Sequence, residues 1–211
     1  MRSFVVLAAL ACACSSTGSK GQSDLSDLTG EIKKLVSKLE EGKADLKTAM
    51  AEHDAIVNNK DGDFAGHYKK FSKALDTVEK DRTGVREQVQ KVKDAAAPYF
   101  TRWKDENSKI NDASLRERDA ENMQATRGRY EQIHKAGEDA KAAYEPLVAT
   151  LKDHRQFWSN NLNAGSAAQM KGDTEKLDKD AKKLYDLIDK VVSTAKAYNE
   201  SVAMRATPPA K

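Results

Sequence analysis

Along most of this chain apolar side chains return after alternating steps of three and four, a spacing that gathers them on one side of an α-helix. The first run passes through Leu25, Leu28, Ile32, Leu35, Leu39, Leu46, Ala49 and Ile56, with Gly42 and His53 in the two slots that lack an aliphatic residue. A second holds Phe64, Tyr68, Phe71, Leu75, Val78, Val85, Val89, Val92, Ala96, Tyr99 and Trp103, and only Arg82 breaks it. The third is the least apolar: Asp119, Met123, Thr126, Tyr130, Ile133, Gly137, Ala140, Tyr144, Leu147, Leu151, His154 and Trp158. Met170, Thr174, Leu177, Ala181, Leu184, Ile188, Val191, Ala195, Tyr198 and Val202 make the fourth. Seams of this period predict long helices with coiled-coil packing.

The stretches between the seams are short. Residues 58–63 collect turn formers and offer Asp63 as the N-cap of the next helix; residues 107–112 and 159–166 are the other breaks. Pro98 and Pro146 fall inside the pattern and predict a kink or a local end, because proline lacks a backbone donor. Gly172 and Asp173 mark a further weak point. Helices of about 35 to 45 residues would be about 50 to 65 Å long, and connections this short fold each one back on its predecessor. The expected fold is all-α: an elongated antiparallel four-helix bundle, up-down-up-down, forming one domain over residues 23–204. A three-helix core with one peripheral helix, or a coiled coil completed by a second chain, would use the same seams. With 39% hydrophobic and 33% charged residues the core is thin, and 11 glycines and 4 prolines are too few for many short strands. Matched stripes of leucine and valine predict little room inside for a ligand.

The beginning of the chain reads as an address. Arg2 precedes an apolar run over residues 4–11, too short to span a bilayer, and small residues follow, so residues 1–14 are expected to be a signal peptide. Both cysteines, Cys12 and Cys14, lie at its end, and a cysteine between small residues and a Ser-rich spacer resembles the lipobox of bacterial lipoproteins. Cys14 is the expected lipidation site, with Cys12 the alternative; Ala11 stands where lipoboxes usually carry leucine. Ser15 after Cys14 resembles outer-membrane sorting. The expected address is therefore the cell envelope, as an outer-membrane lipoprotein facing the periplasm, and the other reading is a soluble periplasmic or secreted protein. Residues 15–22 form the spacer and residues 205–211, with Pro208 and Pro209, a disordered tail.

Charge narrows the partners. The formal net charge is +3, and acidic and basic residues alternate, so no block exists that would neutralise several phosphates; nucleic-acid binding is not expected. Catalysis is not expected either. Glu131 and His134 have the Glu-x-x-His spacing of a di-iron bundle, but no second copy accompanies them, and they read as a solvated pair beside Ile133. Neither a His-Glu-x-x-His motif, a Gly-x-Ser-x-Gly elbow nor a phosphate loop is present.

The ordered set Ala113-Ser114-Leu115-Arg116, Thr126-Arg127-Gly128-Arg129-Tyr130, Pro146-Leu147-Val148 and Asn161-Leu162-Asn163-Ala164 resembles a bacterial family catalogued only as domain of unknown function 2959. That resemblance covers most of the chain beyond the spacer and implies an exported, helical protein without an assigned role. Where the family carries Lys-His ahead of the last motif this chain has Ser159-Asn160, so no histidine role carries over to that place.

Folding the seams back on themselves brings chemistry to one end. The turn near Lys60 sets His53 and His67 at one level, and the turn near Lys109 brings His154 beside Phe64; Tyr68, Phe157 and Trp158 lie there too. With helix 1 starting at the anchor, this end points away from the membrane. His53, His67 and His154 are candidate ligands for a divalent metal, and Phe64, Tyr68, Phe157 and Trp158 a candidate partner contact. Packing explains the same residues, since seam histidines and end aromatics often close a bundle. Tyr99, Phe100 and Trp103, at the opposite end, either fill the core or touch lipid. The function expected is that of a non-catalytic, lipid-anchored helical scaffold, spacer or interaction module, contacting the membrane through its anchor and another envelope protein or a second copy. The alternative is a periplasmic helical-bundle protein that binds a lipid, a small ligand or a divalent metal. No cofactor is expected.

Overall fold

The computed structural model describes residues 17–206; the expected signal peptide, Cys12, Cys14 and the last residues of the tail lie outside the described residues. Five helices follow one another: α1 Thr17–Val57, α2 Phe64–Ser108, α3 Ala113–Asn160, α4 Ala164–Gln169 and α5 Lys171–Ala206. Helix α1 begins inside the stretch read as spacer, and α5 reaches into the stretch read as tail.

Local chemistry fixes the ends. Asp63 caps α2, its Oδ1 accepting from the Gly66 amide at 2.8 Å; Asp112 caps α3 through the Leu115 amide at 2.9 Å; Asn163 caps α4 through the Ser166 amide at 3.0 Å. Between α1 and α2 the chain reverses through Gly62, whose φ of 81° lies in the left-handed region that glycine adopts without steric penalty. Neither Pro98 nor Pro146 ends its helix. Both are exposed, so water can serve the carbonyl that each leaves without an amide partner. The break before the last long helix comes at Met170, ahead of Gly172; there the buried Thr174 hydroxyl donates to the Met170 carbonyl at 2.9 Å, a back-bond that bends helices.

Four long helices form a closed ring in which α1 adjoins α2 and α5, and α3 adjoins α2 and α5, while no Cα atoms of the diagonal pairs approach within 8 Å. Every neighbouring pair runs antiparallel. Along α1 and α5, Thr29 meets Asn199 and Lys43 meets Asp189; along α2 and α3, Trp103 meets Asp119 and Arg155 meets Asp76. Gln88 of α2 reaches Glu31 of α1, and the Tyr130 and Tyr198 rings join α3 to α5 at 6.5 Å. No helix is peripheral, because each long helix supplies buried seam residues to one core.

The seams point inward as their spacing requires. Phe71, Leu147 and Ile188 are buried, as are Leu28, Ile32, Leu75 and Leu151, and each such side chain contributes about 1.5–3 kcal/mol on leaving water. Spacing between helices is uneven. Helices α1 and α2 are the closest pair, helped by Gly42, where a Cβ would sit 3.6 Å from the Cβ of Asp81. Among neighbouring long helices, α2 and α3 approach each other least. Ion pairs such as Lys43–Asp189, Lys196–Glu40 and Arg155–Asp76 line the outer edges; exposed pairs of this kind are worth about 0–1 kcal/mol each and set register more than stability. Among the described residues no helix is long and apolar enough to cross a membrane.

Candidate functional site

Three levels along the bundle carry unusual chemistry. At the end farther from the start of α1, termed distal for that reason, beside the α1–α2 turn, His53 and His154 stack with ring centroids 4.9 Å apart, and Nε2 of His53 lies 2.9 Å from Nδ1 of His154. Phe71 and Trp158 pack on His53 at 5.3 and 6.3 Å. His53 and Trp158 are fully buried. Burial first, and then the neighbouring imidazole, pushes His53 down to about 3, and burial likewise lowers His154. Two neutral imidazoles share one proton in this contact. Among the described residues Nδ1 of His53 has no hydrogen-bond partner, and a buried bare lone pair is tolerated better than a buried orphan N–H, so Nε2 of His53 is the donor.

His67 does not join them. It stands on the outer side, with Nδ1 3.2 Å from Glu52 and Nε2 3.3 Å from Asp61, and these carboxylates, Glu52 first, hold it above its usual range. The three candidate ligands thus split into a core pair whose nitrogens face each other and a surface histidine engaged by carboxylates. Among the described residues no group of three or more His, Cys, Asp or Glu is arranged to hold a metal ion. Of the candidate partner residues, Phe64, Tyr68 and Phe157 are half-buried against the core, whereas Trp158 presents no surface at all. Glu131 and His134 are both exposed.

At the proximal end Tyr99, Phe100, Trp103 and Tyr130 form a chain of ring contacts between 5.0 and 5.7 Å, and Tyr130 extends it to Tyr198. Tyr99 and Phe100 are core residues, and the Trp103 indole donates to Asp119 at 3.0 Å.

The middle level departs from expectation. Instead of a filled core it holds a cavity of about 300 Å³, within the range of small-ligand sites, opening mainly between α2 and α3. Three seam interruptions explain it: Gly42 of α1, Arg82 of α2 and Gly137 of α3 all line this space. A Cβ on Gly137 would meet nothing within 4 Å. The floor is apolar, with Leu46, Val78, Ile133, Leu184 and Ile188 all buried. Around the mouth stand Arg82, Arg86, Lys93, Lys141, Glu138 and Glu145. Arg82 donates to both Glu145 oxygens at 2.6 Å, which holds that carboxyl below its usual range, yet its own Nε is buried with no acceptor among the described residues. Across the gap the Tyr144 hydroxyl donates to the Val78 carbonyl at 2.9 Å. On the α1 side Asp81 is pushed up to about 6 by burial and by the neighbouring Asp45 carboxyl, and its Oδ2 is buried without a hydrogen-bond partner among the described residues.

Sequence reading missed the cavity and the Asp45–Asp81 pair. Gly42 and Arg82 were visible as seam breaks, but that they stand at one level depends on how the helices are set against each other.

Long antiparallel helices closed into a ring around a mid-level cavity define an all-α helical bundle. The chain belongs to the family described as Protein of unknown function (DUF2959), whose model matches residues 19–202. No curated protein and no solved structure matches it. The family carries no assigned catalytic activity.

Proposed function

We propose that this chain is a non-catalytic module of the bacterial cell envelope, tethered to a membrane through a lipidated Cys14 or Cys12, whose bundle receives a ligand in its middle cavity. The observation that carries the ligand-receiving reading is the alignment of Gly42, Arg82 and Gly137 around one apolar space. At Gly137 an aliphatic side chain would find open space, whereas at Gly42 a Cβ would already touch Asp81, and the third slot holds a cation. Anchoring rests on the sequence of residues 1–16, and with it goes an orientation in which the Tyr99–Trp103 end faces the membrane and the His53–His154 end faces away.

Mass measurement of the protein from native membranes tests both halves. Intact mass under native conditions should reveal a bound small molecule lost on denaturation, and the mature N-terminal peptide should carry a diacyl or triacyl cysteine. An empty protein sinks the ligand-receiving reading, and an unmodified N-terminus sinks the tether.

A spacer or scaffold role is the second reading, favoured by shape: α2 alone has 45 residues, about 68 Å of rod. Cross-linking in intact cells should then recover one recurring envelope protein, or a second copy, on the distal end.

A further inference from the structure

The two arginines at the cavity mouth share one carboxylate. Arg82 takes both oxygens of Glu145, while the nearest Arg86 nitrogen stays 3.7 Å away, outside hydrogen-bond range. One positive charge and guanidinium donors of Arg86 are therefore unspent. Lys141 stands near Glu138 at 3.8 Å, and Lys93 lies on the same rim with no carboxylate within 4 Å among the described residues. Guanidinium forks bind carboxylate and phosphate oxygens in paired geometry. Behind this basic rim the wall is mainly apolar, built of aliphatic side chains with Tyr130 and Tyr144 and with Asp81 on the α1 side, so the space offers an anion site and a hydrocarbon site in series.

We propose that the cavity takes a single-chain amphiphile with an anionic head: the chain lies among α1, α2, α3 and α5 past Gly137, and the head rests on Arg86, beside the Arg82–Glu145 pair, between α2 and α3. This rests on the ligand-receiving reading above and adds the class of ligand. A head bearing two chains would exceed the volume, and a cationic head would meet the arginines. Carboxylate and phosphate heads share this chemistry.

Isothermal titration of the full-length chain carrying Cys12→Ser and Cys14→Ser, below micellar concentrations, separates these possibilities. The probes are dodecanoate, dodecyl phosphate and dodecanol. At least one anion should bind about tenfold or more tighter than the alcohol, and whichever anion leads identifies the head. Arg86→Gln, at an exposed position, should weaken the anions about fivefold or more and leave dodecanol unchanged. Gly137→Leu starts from a position where a Cβ meets nothing within 4 Å and puts an isobutyl group into the cavity; it should weaken binding of all three about tenfold or more, with an unchanged or raised Tm showing that the loss does not come from unfolding. Equal binding of anions and alcohol overturns the anionic head and leaves the ligand-receiving reading standing. Binding unaffected by Gly137→Leu overturns the location. No heat from any probe overturns the inference, and the native-mass measurement then decides separately whether the cavity carries something else.

Discussion

The distal and middle levels are both places where the heptad seam gives up an aliphatic residue, and they come out opposite. At the distal level the substitutes, His53 and His154, are large and face each other, so their rings stack and Phe71 and Trp158 close around them. At the middle level two substitutes are glycines and the third, Arg82, turns toward Glu145 at the rim, so no side chain fills the axis. A seam interruption is harmless to packing when its side chain has volume and finds a counterpart in a facing seam. Otherwise it leaves space.

Truncating the distal level should cost most. Trp158→Ala removes the largest fully buried side chain and should lower stability by about 3–5 kcal/mol in urea denaturation. A loss below about 1 kcal/mol would mean that the distal level is no better packed than the middle.

Acid should act on the distal level next. His53 is held far below its unfolded value of 6.5, so between pH 6.5 and about 3 the unfolded chain binds a proton that the folded chain refuses. Stability is complete above pH 6.5 and falls with acidification by up to ~1.4 kcal/mol per pH unit. His53→Leu should flatten that slope in denaturation series from pH 7 to 4, and an unchanged slope would show that the pair is not the acid-sensitive element.

Gly137→Ala should be the mirror image of Trp158→Ala. It adds a methyl group to open space and removes backbone freedom from a helix, for a gain of about 0.5–1 kcal/mol measured by thermal unfolding. Destabilisation would show that the middle level is already full.

The smallest effect belongs to Asp81. Its folded value of about 6 lies above the unfolded 3.8, so its penalty is absent below pH 3.8 and grows as pH rises through 6, the reverse of His53 in sign. Asp81→Asn should therefore raise Tm slightly at pH 8 and leave it unchanged at pH 4; an equal shift at both would remove the charge from the explanation.

The seams themselves were legible. Phe71, Leu147 and Ile188 face the core because three-and-four spacing admits a single helical face, and Asp63 caps α2 because its side chain reaches the amide three residues on. His67 was legible with more care: it stands one residue before the seam position Tyr68, which turns it away from the axis, whereas His53 and His154 occupy seam positions. Level alone does not bring side chains together; face must match as well. The cavity was not legible, since each stripe read singly shows only an isolated flaw, and matched stripes of leucine and valine predicted a filled interior. The Asp45–Asp81 contact was hidden for the same reason, as both residues flank seams on separate helices.

The neighbour-only ring has a consequence for how the chain assembles. Two of its four lateral seams join helices that follow each other directly, and a third joins α3 to α5 across only the short α4, so these three close after short connections and at little entropic cost. The seam between α1 and α5 joins the two extremities of the fold, through partners such as Thr29 and Asn199, 170 positions apart. That one closure carries most of the topological cost, which makes the rate of ring completion sensitive to α5 and nearly indifferent to the turns.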